Sequence, residues 1–117
     1  MGATPRSFVI TIVVDGSLDY LVSVDGGPQV PGYSVSARRG DHIMWTCSTP
    51  FAICFVDKTP LSQMNYVSGS SNSVADDVQK KAKSDRYGYV VGVNREANAP
   101  PLLEDPELIV EPESGSG

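Results

Sequence analysis

The sequence predicts an all-β sandwich with one short helix, and two observations support this prediction. Short segments rich in β-branched and aromatic residues alternate with turn residues along most of the 117-residue chain. The chain also contains 11 glycines and 9 prolines, more than long helices tolerate. Because 117 residues with 40% hydrophobic and 20% charged content build one modest core, we expect a single domain.

Strand character is clearest where apolar residues alternate with polar ones. Segment 42–47 places Ile43, Trp45 and Cys47 on one face, and segment 8–14 is β-branched up to an Asp-Gly turn. Seven such segments separated by turns indicate an antiparallel sandwich or barrel. The predicted strands span residues 8–14, 20–24, 34–38, 42–47, 51–56, 87–93 and 107–111.

One segment, residues 74–83, has the features of a short helix. Ser73 is a typical N-cap residue with Asp76 three positions later, and lysines are concentrated at the other end. Its apolar residues recur at four-residue spacing, which places them in a narrow stripe. These residues are Val74, Val78 and Ala82.

Charge and segment composition suggest how the chain is organised. We expect a flexible N-terminus over residues 1–6, the sandwich domain over 7–111 and a flexible acidic Gly-Ser tail over 112–117. The net charge of -5 argues against nucleic-acid and membrane-surface binding, and no apolar run is long enough to span a membrane. Because no secretory signal is present in the sequence, we expect a cytoplasmic location.

Three short motifs occur in a specific order: Gly-Asp-His-Ile-Met-Trp at residues 40–45, Pro-Phe-Ala-Ile-Cys-Phe at residues 50–55 and Tyr-Gly-Tyr-Val-Val at residues 87–91. Together they resemble the cupredoxin family, and the closing Asp-Pro with an apolar strand at residues 105–110 looks like small bacterial cupredoxin-like domains. This resemblance extends over residues 8–111. It implies a cupredoxin-like Greek-key β-sandwich.

The resemblance does not extend to the copper ligands. A type 1 copper site needs two imidazoles, a thiolate and a weak axial thioether. In the matched motifs Phe51 occupies the first His position and Val91 occupies the Cys position, and no His or Met follows Val91. The resemblance therefore implies a copper-free member of the fold, and such members tend to be binding modules. We expect no cofactor.

The predicted function is a non-catalytic protein-interaction or assembly module whose protein partner the sequence does not identify. Long loops on rigid sandwiches often carry binding sites, and segment 57–72 is long for a simple connection. A second candidate is the acidic segment 104–113, as an exposed sheet edge. The sequence predicts no particular oligomeric state. The candidate partner-binding residues are Pro60, Leu61, Met64 and Tyr66.

Two other classes of function stay open. One is a copper-binding or electron-transfer protein with an unorthodox site, because His42 and Met44 share a strand face. The other is an enzyme that uses the Asp76-Asp77 pair. Since no nucleophile, base and orienting residue occur as a recognisable set, we expect no enzyme.

The remaining chemically notable side chains have ordinary structural interpretations. Cys47 and Cys54 are expected to be reduced, mostly buried thiols, because nothing places them opposite each other. The lysines near residue 81 are expected to be solvated. The large aromatic residues at strand spacing are expected in the core: Trp45, Phe51, Phe55, Tyr87 and Tyr89.

Overall fold

The computed structural model describes residues 5–15, 17–32, 34–93 and 106–112, and this part of the chain is nearly all β. Most of the two predicted terminal segments lies outside these residues. Among the described residues, one 3₁₀ turn spans Gly69–Ser71. The strands are β1 (Ser7–Asp15), β2 (Ser17–Val24), β3 (Val30–Pro31), β4 (Ser34–Ala37), β5 (His42–Cys47), β6 (Phe51–Phe55), β7 (Asn65–Val67), β8 (Ser73–Asp77), β9 (Asp85–Val93) and β10 (Glu107–Val110).

The described strands form two five-stranded sheets packed as a sandwich. The first sheet has the order β3-β2-β1-β5-β8 and the second has the order β4-β10-β9-β6-β7. Each sheet is mixed, because β1 runs parallel to β5 and β10 runs parallel to β4. The sandwich prediction is confirmed, whereas the expectation that all strand pairs are antiparallel was wrong.

All seven predicted strands are present, with boundaries that differ by three residues or fewer. The prediction that the acidic C-terminal strand forms an exposed edge was wrong. β10 lies between β4 and β9, so its backbone groups already have partners on both sides. Residues 94–105, which include the Glu104-Asp105 pair, lie outside the described part of the chain.

The predicted helix over residues 74–83 is also wrong, because its first half forms β8. This strand pairs antiparallel with β5, so that Val74 lies opposite Trp45. Val78 and Ala82 are buried in the core, as the helical stripe predicted, but an extended backbone and a turn place them there. Completing the ladder beside β5 outweighs the local helix signals, as tertiary context often does.

The core lies between the two sheets, and a cluster of aromatic rings occupies its centre. All five aromatic residues predicted to be in the core are buried. Trp45 of the first sheet donates a hydrogen bond from Nε1 to the Tyr89 hydroxyl of the second sheet at 3.2 Å. Its ring meets those of Tyr89 and Phe55 edge-on, with centroids 5.5 and 6.4 Å apart. Burial raises the pKa of Tyr89 well above its usual range.

The Gly40-Asp41 turn fixes the start of β5 and is bonded to the residue that follows β8. Gly40 has a φ of 90°, a left-handed conformation that favours glycine. Its N–H donates to the Val78 carbonyl at 2.8 Å, and the Val78 N–H donates to the Asp41 carbonyl at 2.8 Å. Asp41 is 2% exposed, and its carboxylate accepts hydrogen bonds from the backbone N–H groups of Arg6 at 2.9 Å and Arg38 at 2.8 Å.

Candidate interaction surface

The four residues predicted to bind a partner do not form an exposed platform. Pro60, Leu61 and Tyr66 are buried, and Met64 is partly buried against the core. Leu61 and Tyr66 therefore belong to the hydrophobic core, and Met64 packs against it. That they bind a partner stays a prediction, but the structure gives each of them a packing role.

Tyr66 and Asp76 join the two sheets where β7 and β8 lie. The Tyr66 hydroxyl donates to Asp76 Oδ2 at 2.6 Å and accepts from the Gln63 N–H at 3.0 Å. The same carboxylate oxygen accepts from the backbone N–H of Ser62 at 3.1 Å and from its hydroxyl. Tyr66 and Asp76 therefore hold the segment before β7 against the edge of the first sheet.

This hydrogen-bonded cluster shifts the pKa values of both its titratable groups. Burial, together with the bond to the Asp76 carboxylate, raises the pKa of Tyr66 to about 12. Burial also opposes ionisation of Asp76, but the hydrogen bonds from Ser62 and Tyr66 outweigh it and hold the pKa of Asp76 below its usual value. Neutral Tyr66 and ionised Asp76 are thus the favoured pair over a wide range of pH.

β7 forms an open edge of the second sheet. On the β6 side, the Phe55 N–H donates to the Met64 carbonyl at 2.8 Å and the Ser68 N–H donates to the Phe51 carbonyl at 2.9 Å. Because an antiparallel ladder alternates, the backbone groups of Asn65 and Val67 point away from β6. Both residues are exposed, and among the described residues their backbone groups have no hydrogen-bond partner.

The side chains of β7 leave this edge unprotected. Val67 is 77% exposed, more than the other exposed valines at positions 24, 30 and 56. Residues 64–75 contain no charged side chain and no proline. Natural proteins usually protect an edge strand with charges, prolines or bulges, and a bare edge is a template for pairing with another chain. The strand pattern of the sequence did not predict β7, although the uncharged run with an isolated valine is a signal for an open edge.

The other described edges carry such protection. β3 is two residues long and ends at Pro31. β8 ends with two aspartates, and β4 is followed directly by Arg38 and Arg39. Among the four edges of the described sheets, β7 is therefore the one best suited to strand pairing.

The outer face beside β7 consists of small side chains. Ala52 lies next to Val67, and exposed Cys54 lies next to Asn65. The next strand adds glycines at positions 88 and 92, where a Cβ would meet nothing within 4 Å. These side chains carry no charge and continue the outer face of β7.

The residues matched to the copper ligands are part of the apolar core. Phe51 is 3% exposed and Val91 is fully buried. His42 and Met44 lie together on the outer face of the first sheet, as expected, and His42 Nδ1 lies 2.7 Å from Asp77 Oδ1. Among the described residues no group of three or more histidines, cysteines and acids is arranged to hold a metal ion.

The two cysteines are free thiols in different environments. Cys47 is buried and Cys54 is exposed, so the expectation that both are mostly buried was wrong for Cys54. The alternation of β6 explains the difference, because Ile53 and Phe55 face the core while Cys54 faces out.

The charged residues considered as alternative sites have structural partners or are solvated. Asp76 accepts a hydrogen bond from Tyr66, and Asp77 pairs with His42. Both aspartates therefore have structural partners at the edge strand β8. Lys80 and Lys81 lie exposed in a turn. Arg86 pairs with Glu107 at 2.8 Å across β9 and β10.

Comparison with known proteins gives no family assignment. No family model matches the chain, and no curated protein is significantly similar to it. Within the described residues, no helix is long and apolar enough to cross a membrane.

Proposed function

We propose that this protein is a non-catalytic protein-interaction or assembly module on a cupredoxin-like Greek-key sandwich that lacks the type 1 copper ligands. The observation that carries the proposal is the open edge of β7, where Asn65 and Val67 present unpaired backbone groups beside a 77% exposed valine. An edge of this kind accepts an added strand through main-chain hydrogen bonds. It lies within the segment 57–72 in which a contact surface is expected.

Two further features support this proposal. Phe51 and Val91 fill the matched ligand positions with buried apolar side chains, which suits a fold used as a rigid support. The uncharged β7 region suits a protein surface better than the phosphate backbone of a nucleic acid, which is bound by lysines and arginines. We also propose that this protein is cytoplasmic and that its partner is another protein.

Affinity capture with a matched pair of charge insertions tests this function. Val67→Lys places a charge on the β7 edge, and Val30→Lys places the same charge at the 54% exposed valine of β3. We expect the tagged wild-type protein and Val30→Lys to retain the same specific proteins from a host lysate, whereas Val67→Lys loses them. Equal retention by both variants would move the binding surface away from β7. No specific capture by the wild-type protein would contradict the proposed function.

A further inference from the structure

We propose that one corner of the sandwich is a separate contact surface, which binds an acidic segment of another protein. We call its five cationic residues the basic corner, and all of them except Arg39 are exposed. The corner shares no residue with the β7 edge, so this inference goes beyond the proposed function and does not depend on strand pairing at β7. The basic corner consists of Arg38, Arg39, Lys80, Lys81 and Lys83.

Hydrogen bonds hold the two halves of the basic corner together, although these halves lie far apart in the sequence. The turn between β4 and β5 meets the segment after β8, because the Gly40 N–H donates to the Val78 carbonyl at 2.8 Å. The Arg39 Nε donates to the Ala82 carbonyl in the same segment. Within that segment, the Ala82 N–H donates to the Gln79 carbonyl at 3.0 Å. The backbone that carries the cations is therefore fixed before binding, which lowers the cost of ordering it on a partner.

Four cations of the basic corner have no acidic partner among the described residues. The side chains of Arg38 and of the three lysines form no hydrogen bond or ion pair with the described part of the chain. Outside the corner, by contrast, every described lysine and arginine forms an ion pair with an acidic side chain. These pairs are Arg6 with Asp41 and Glu111, Lys58 with Asp85, and Arg86 with Glu107.

The aspartates next to the basic corner in the sequence already have other partners. Asp77 precedes the lysines, and its Oδ1 lies 2.7 Å from His42 Nδ1. Asp85 follows the lysines and pairs with Lys58. Asp41 is buried, and its carboxylate accepts hydrogen bonds from two backbone N–H groups. An incoming carboxylate would therefore meet exposed lysines that give up no internal ion pair on binding.

The distribution of charge favours a short acidic segment over a long polyanion. The whole chain has a net charge of -5 although the corner is strongly positive, so the rest of the molecule is strongly negative. A nucleic acid or an anionic membrane would also face that negative surface, whereas a short acidic segment contacts the corner alone. Lysine ammonium groups bind carboxylates without a fixed geometry, and such exposed contacts are sensitive to salt.

Fluorescence anisotropy of a labelled hexaglutamate peptide, titrated with the purified whole chain, tests the proposal. We expect a Kd on the order of 100 μM in about 50 mM NaCl, and binding about fivefold weaker in about 300 mM NaCl. Lys80→Gln/Lys81→Gln should weaken binding about fivefold or more. Gln29→Glu/Val30→Glu changes the net charge by the same amount at β3, the far edge of the first sheet, and should stay within about twofold of wild type.

Amide chemical shifts of the wild-type protein provide a second test that needs no variant. Adding the hexaglutamate peptide should shift the amide signals of residues 38–41 and 78–84 and leave those of Asn65 and Val67 unchanged. Shifts confined to other parts of the sandwich would place the acidic segment elsewhere and overturn the proposal.

Three results of the titrations would also overturn it. The first is no binding of hexaglutamate in about 50 mM NaCl, and the second is equal weakening by the two double variants, which would mean that only net charge matters. The third is tighter binding of an oligothymidylate of similar charge, which would make the corner a nucleic-acid surface. None of these measurements uses the β7 edge, so their failure is distinct from failure of the capture experiment with Val67→Lys.

Discussion

β7 and β8 are both edge strands, and they follow each other in the chain on either side of the Gly69–Ser71 turn. They differ in that β8 carries charged side chains with bonding partners, whereas β7 carries none. Asp76 accepts a hydrogen bond from Tyr66 of the second sheet, and Asp77 pairs with His42 of β5. β7 has exposed, uncharged residues at its outer edge, although Tyr66 anchors it from within. A strand can therefore be fixed firmly to the core and still leave its backbone open to another chain.

The largest expected loss of stability comes from breaking the turn that anchors the end of β8. In Asp41→Ala, two backbone N–H groups lose their acceptor, and the Arg6 guanidinium loses a partner at 3.2 Å. Because Asp41 is buried but Arg6 is partly exposed, we expect unfolding free energy to fall by about 2–4 kcal/mol. Urea unfolding followed by Trp45 fluorescence measures it.

Asp41→Asn provides the control for this prediction. The amide keeps an acceptor oxygen, so the loss should be smaller than in Asp41→Ala. A change below about 0.5 kcal/mol in Asp41→Ala would show that the turn does not anchor this end of the sheet.

The second-largest expected loss of stability comes from removing the Tyr66–Asp76 hydrogen bond, which joins edge strands β7 and β8. Tyr66→Phe removes the donor to Asp76 and the acceptor of the Gln63 N–H, and should cost about 1–2 kcal/mol at neutral pH. The pKa of Tyr66 is raised from 10.0 to about 12 in the folded protein, so its contribution is fully present below pH 10. It is lost as pH rises from 10 to 12.

The difference in unfolding free energy between wild type and Tyr66→Phe should therefore shrink across this alkaline range. It should also shrink in acid, because the pKa of Asp76 is lowered and its contribution is lost as pH falls below the ordinary value of 3.8. Tyr89 is present in both proteins, so its own alkaline titration cancels in the comparison. A difference that stays constant from neutral pH to pH 12 would contradict the assigned Tyr66–Asp76 bond.

Sequence pattern predicted the strands that face the core but not the edges of the sheets. Segment 42–47 was placed without error because a strand with one buried face imposes period-two alternation. β7 was missed because three residues are too few to show a period. β8 was misassigned because Ser73 and the following charges mimic a capped helix, and only the pairing with β5 decides otherwise.

The four residues predicted to bind a partner are buried or partly buried, and the open edge of β7 lies in the same segment of the chain. Leu61 and Tyr66 are apolar or aromatic residues in a long connection, and such residues pack inward as readily as they face a partner. What makes β7 accessible is its place at the end of the strand order, together with backbone groups that face away from β6. Strand order depends on contacts between distant segments, which local sequence does not encode.

The smallest expected change in stability is that of Asp77→Ala, and it contrasts with the change expected for the neighbouring Asp76. Asp77 is exposed and pairs with an exposed His42, so Asp77→Ala should change unfolding free energy by about 0.5 kcal/mol or less, and less still in about 0.5 M NaCl. Asp76→Ala, one residue earlier, should cost about 2 kcal/mol because it leaves the hydroxyl of buried Tyr66 without an acceptor. Equal losses of unfolding free energy in urea would mean that both aspartates stabilise β8 through their negative charge alone. Unequal losses would mean that one bond between the sheets fixes this edge, leaving the backbone of β7 as the part still open to a partner.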